Sequence, residues 1–210
     1  MCSNAGMPRL LARSATSLLL AGAAALFVVA AGQRWWPTCR RGAFDTDACM
    51  QLQSHEYDSL FLGEPWTPVG HAAEVAGLAL LLLAGAAALV PFLLLPGWSL
   101  RFRLPLAVVP AACLALLGVH VLASGVSGHV VSVPLSGPAF VVWAFAMPAV
   151  LLLWVVIAAP NCPDRRTAWG LALALVLIAS TPLPVLFILG PMLVNYVSHD
   201  IAPWTEAAMA

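Results

Sequence analysis

Four intervals of this 210-residue chain carry no charged side chain: 14–33, 75–100, 104–163 and 167–199, histidines not counted. Few folds can be built from apolar runs of that length. A bilayer core about 30 Å thick takes roughly 20 apolar residues in a helix. Within lipid, only helices and closed barrels satisfy their own backbone polar groups. The first, second and fourth intervals therefore hold one spanning helix each. The third is long enough for two, and its middle, SGVSGHVVSVPLSGP at 124–138, has the Gly, Ser and Pro content of a turn. The expected fold class is an all-α integral membrane protein, a five-transmembrane-helix bundle forming one polytopic domain over residues 1–210. Its helices are placed at about 14–33, 71–95, 103–126, 138–159 and 168–194.

Composition agrees with that class. Hydrophobic residues make up 62% of the chain and charged ones only 9%, which leaves too little polar surface for a dissolved monomer. The formal net charge is zero, so no nucleic-acid partner is expected. The partners this composition points to are the lipid bilayer and other membrane proteins. All nine basic residues are arginine. With the abundant alanine, that bias fits a high-GC bacterial genome, and hence a bacterial plasma membrane.

The arginines set an expected orientation. With a cytoplasmic N-terminus, Arg9, Arg13, Arg101, Arg103, Arg165 and Arg166 fall inside, and Arg34, Arg40 and Arg41 fall outside. That is a positive-inside bias, and it puts the C-terminus outside. Trp35, Trp36, Trp66 and Trp204 then mark outer helix ends, and Trp98 and Trp169 inner ones. Trp143 and Trp154 lie within the fourth helix. The first helix has a rival reading as a signal peptide cleaved near Gln33, since VVAAG offers small residues there. A retained helix is expected, because the apolar run is at the long end for a leader.

Between the first two helices, residues 34–70 form the only long polar interruption, read as an external cap. Cys39 and Cys49 are its only cysteines, and outside the cytoplasm such a pair is expected to close a disulfide. The loop between them, CRRGAFDTDAC, carries Asp45 and Asp47. The text QLQSHEYDSLFL that follows reads as a short surface helix, capped at its start by Asp45 or Asp47. Its His55, Glu56 and Asp58 are expected on a solvated face.

A cysteine pair outside a small helical bundle also resembles the vitamin K epoxide reductase-like enzymes. The likeness covers only Cys39, Cys49 and the general topology. That family's defining CxxC has no counterpart, since Cys113 stands alone in the third helix, and the resemblance is not adopted.

The remaining chemistry gathers where cap meets membrane. His71 and Glu74 are one helical turn apart at the outer start of the second helix. His120 lies a short distance inside the outer end of the third, with Ser124 and Ser127 near the same stripe. A polar intramembrane cluster of His71, Glu74, His120 and Ser124 is expected, with Glu74 and His120 paired across the two helices. An ionisable group inside a span is costly and is ordinarily partnered. All five histidines, at 55, 71, 120, 129 and 199, fall in the expected outer half. His55, His71, His120 and His129 are weak candidates for metal or haem, but no HExxH, CxxC or CxxCH is present, and no cofactor is firmly implied. No complete reaction centre can be assembled from these residues. The function expected is non-enzymatic: an accessory, assembly or immunity-type protective factor acting through its cap. The alternatives are a small carrier or channel using Glu74 and His120, and a redox or metal-binding membrane enzyme.

Overall fold

The computed structural model describes residues 6–40, 43–95 and 98–158, with scattered positions from 172 to 207. It is all-helical. Four helices among the described residues are long and apolar enough to cross a membrane: Leu10–Trp35, Ala72–Leu94, Leu100–Ser127 and Ser136–Trp154. The expected fifth helix, 168–194, lies largely outside the described residues, as does the Arg165–Arg166 turn. Its described stretch 174–178 is helical, and Ala174, Leu177 and Val185 join the common core.

In chain order the elements are α1 (Gly6–Trp35), α2 (Asp47–Leu52), a 3₁₀ turn (His55–Tyr57), α3 (Ala72–Leu94), α4 (Leu100–Ser127), α5 (Ser136–Val141), a π turn (Val142–Ala146) and α6 (Met147–Ala158). The helix α1 starts eight residues before the expected 14. Charge limits the hydrocarbon span but not the helix, and Leu, Ala and Arg all favour helix beyond it. The segments α5, π turn and α6 run on as the expected fourth helix. The π turn ends two residues before Pro148, whose ring would collide with the carbonyl four residues earlier, within that turn, so the ladder widens there.

The centre of the bundle is α3, which packs most extensively on α4 and next on α1. Lipid-like surroundings give little hydrophobic drive between helices, so close backbone approach must supply the contact. Small residues allow it. A Cβ added at Gly77 would lie 2.6 Å from the Leu122 nitrogen, and one at Gly125 would lie 2.7 Å from the Glu74 nitrogen. The contact face of α3 therefore runs through positions 74 and 77, and that of α4 through 118, 122 and 125. Large apolar side chains such as Leu18 and Phe145 point outward, whereas Trp143 and Trp154 are buried at 1% exposure.

The polar segment between α1 and α3 folds over one end of this bundle. Cys39 and Cys49 are joined by a disulfide, with their Cα atoms 5.0 Å apart. The expected aspartate cap of α2 is not formed. Thr46 holds the N-cap position without a side-chain cap bond, and its hydroxyl donates instead to the Ala43 carbonyl. Asp47 lies one residue too late to cap and occupies the first turn, where its charge favours the helix dipole.

Candidate functional site at the capped end of the bundle

A fully buried arginine fastens the cap. Arg34, in the last turn of α1, is 0% exposed. Its Nη1 donates to Asp58 Oδ1 at 2.7 Å. Its Nη2 donates to the carbonyls of Leu52 (2.6 Å) and Ser54 (3.2 Å), and its Nε to that of Leu52 (3.2 Å). The guanidinium also lies over the Trp35 ring, 4.2 Å from its centroid. A planar fork of five donors can answer a carboxylate and two carbonyls at once, which an ammonium cannot do in one plane. Charges taken this far from water persist only with such a full set of partners.

Asp58 is thus not on a solvated face, as its place beside His55 and Glu56 led one to expect. It is buried, and its own carbonyl accepts from Trp66 Nε1 at 2.7 Å. The reason is tertiary: the 3₁₀ turn directs Asp58 back toward the end of α1. His55 remains exposed, and Glu56 Oε1 accepts from the Thr67 hydroxyl at 2.8 Å. Gln33 completes the joint by accepting the His71 N–H at 2.7 Å. At the other side, Trp204 Nε1 donates to the Cys39 carbonyl, and the Trp204 ring meets Trp36 edge-on.

Glu74 and His120 take different partners. Glu74 Oε1 is 2.8 Å from His71 Nδ1, its neighbour one turn away. His71 is fully exposed to water, and the hydrogen bond and charge of Glu74 raise its pKa above the ordinary 6.5. The expected Glu74–His120 bond fails because of angle. The face of α4 that meets α3 passes through Gly118 and Leu122, and His120 sits two residues from each, about 200° around the helix. It therefore faces the loop after α4 instead.

There His120 and Ser124 act together. His120 Nδ1 donates to the Val131 carbonyl at 2.8 Å, while Ser124 Oγ accepts the Val131 N–H at 2.9 Å. Both backbone groups of Val131 are satisfied by α4 side chains, as a strand partner would satisfy them. Gly128, in the left-handed conformation at φ 71°, turns the chain back for this contact. His129 Nδ1 bonds the Ser127 carbonyl on the exposed turn. The weak metal candidates His55, His71, His120 and His129 thus sit on separate pieces of structure. Among the described residues no three His, Cys, Asp or Glu side chains converge on one point; His199 lies outside those residues.

Between the cap and the ends of α4 and α5 lies a cleft of about 380 Å³. The cap contributes Phe61, α4 contributes Leu117 and His120, the loop Ser132, and α5 Ser136 and Phe140. Phe61 stacks on Trp143 at 6.0 Å and meets Phe140 edge-on at 5.7 Å. Sequence reading missed this cleft, and it also took Arg34 only as a marker of orientation. No local spacing signals either one, since Arg34 and Asp58 are 24 residues apart and the cleft draws on four separate segments.

Comparison with protein-family models, with characterised proteins and with solved structures finds no match to this chain. The fold by itself defines the class: a membrane-type helical protein with four helices long and apolar enough to cross a membrane among the described residues, and a Cys39–Cys49 disulfide.

Proposed function

We propose that the protein is a non-enzymatic membrane factor, of the accessory, assembly or protective kind, that meets its partner through the cap on the outer face of the bilayer. The observation that carries this is the wholly buried Arg34–Asp58 pair, which fixes the cap on the helices. A surface held in place before binding loses less conformational entropy when a partner arrives. The cap exposes Asp45, Asp47, Met50, Gln51 and His55 to solvent, a mostly polar set with one large apolar residue. The packing of α1 against α3, with Arg34 at its end, supports a retained first helix in preference to a cleaved leader.

The carrier reading loses its motive, because Glu74 and His120 are bonded separately. The test is a photo-crosslinking residue placed at exposed Met50 in cells, with exposed Val108 on α4 as the control. A discrete protein adduct is expected at position 50 and not at 108, and it should weaken when Arg34→Met loosens the cap. The same adducts at both positions, or none at 50, would overturn the reading. Stoichiometric haem or metal in the purified protein would replace it with the redox or metal-binding enzyme.

A further inference from the structure

The cleft beneath the cap has a chemistry of its own, independent of any partner at the cap's exposed residues. Among the described residues its walls carry no Asp, Glu, Lys or Arg side chain, so they suit a neutral ligand. They are mostly apolar, with a few polar groups, and the volume of about 380 Å³ lies in the range of small-molecule sites. The polar group with a defined direction is His120. Because a carbonyl can only accept, the contact with Val131 requires the proton of the neutral ring to sit on Nδ1. Nε2 is then an acceptor, and among the described residues no hydrogen bond occupies it. A ligand answering His120 must donate.

The rest of the wall narrows the choice. Phe61 and Phe140 both line the cleft, and Phe61 is backed by the buried Trp143 ring, so the apolar surface is built from fixed aromatic faces and edges. Such surfaces favour a flat ring in offset or edge-on contact. The cleft also lies where the polar segment meets α4 and α5, a junction that suits an amphiphile with its head in the cleft and its tail along the apolar helices. We propose that this cleft binds an amphiphile whose head is a hydroxyl-bearing aromatic ring. The hydroxyl donates to His120 Nε2, and the ring packs against Phe61 and Phe140.

The probe pair is 4-heptylphenol and its methyl ether, which share shape and apolarity but differ in the donor. Equilibrium dialysis compares nanodiscs holding the protein with empty nanodiscs, so that partition into lipid is subtracted. A saturable excess of about one phenol per protein is expected, with the ether bound about tenfold more weakly, the value of one hydrogen bond to a buried acceptor. His120→Leu should abolish that difference. Because His120 also holds Val131, a second variant keeps the test decisive. An added Cβ at Gly137 meets nothing within 4 Å, and Gly137 lines the cleft, so Gly137→Phe adds bulk at its wall without removing the His120–Val131 contact. It should remove the saturable phenol binding. Equal binding of phenol and ether by the unaltered protein, no saturable excess, or undiminished binding by Gly137→Phe would each overturn the proposal. Failure here would leave the crosslink at Met50 unaffected, so the two readings stand or fall separately.

Discussion

Arg34 and Asp58 make a buried pair in which each charge depends on the other. Removing one partner strands a charge in a dry site, which costs about 3–5 kcal/mol, whereas replacing both with apolar groups is often neutral. Arg34→Met should therefore destabilise the protein by that amount, and Arg34→Met with Asp58→Leu should recover most of it. Unfolding in mild detergent measures both, and a double variant no more stable than the single would refute the pairing argument. His71 offers a second test at this scale. Its raised pKa means that the bond with Glu74 contributes stability that is fully present below pH 6.5 and fades as pH rises through the folded-state value. Titration of the His71 ring by NMR should give a value above 6.5 that falls back in Glu74→Gln. An unchanged titration in that variant would mean the contact is not formed in solution.

At the scale of elements, the α3–α4 seam depends on backbone contact. Gly125→Ala places a methyl 2.7 Å from the Glu74 nitrogen, and no side-chain rotation can relieve a clash with backbone. A loss of about 1–3 kcal/mol is expected from such overpacking. Gly32→Ala is the matched control, since an added Cβ there meets nothing within 4 Å. Replacing a helical glycine at an open position should stabilise by roughly 0.5–1 kcal/mol. Equal effects in a thermal unfolding series would show that the seam is looser than the geometry requires. The disulfide acts on the element beside it. Closing so short a loop contributes roughly 2–3 kcal/mol by restricting the unfolded chain. Cys39 and Cys49 should resist alkylation until reduced, and ready alkylation in intact cells would point to a reactive dithiol.

For the whole molecule, the arginine distribution makes a prediction about orientation. A reporter fused after Ala210 should respond as outside, and one inserted at Arg165–Arg166 as inside. Both on one side would mean that the stretch 168–194 does not cross the bilayer. Both responses reversed would put the cap in the opposite compartment from that expected, and its disulfide would be hard to maintain in a reducing one.

How much of this could be read from the chain alone follows from the range of each interaction. Charge-free runs and their turn-rich interruption set the helices, because burying an unpaired backbone group or a charge in lipid is costly wherever it occurs along the chain. The four spans among the described residues match the first four expected helices to within a few residues apart from the early start of α1, and the fifth lies largely outside those residues. Two cysteines alone in one polar segment also left a single pairing open to them. The partners of polar side chains were another matter. His120 and Glu74 were rightly set at the same end of the bundle, but rotation about a helix decides contact. That rotation was fixed by where Gly77, Gly118 and Gly125 let two backbones touch. Asp58 looked like any surface aspartate until the end of α1 came to rest above it. Local periodicity carries burial and span, while the bonds that hold the cap and shape the cleft join residues far apart in sequence, and only the packed structure brings those together.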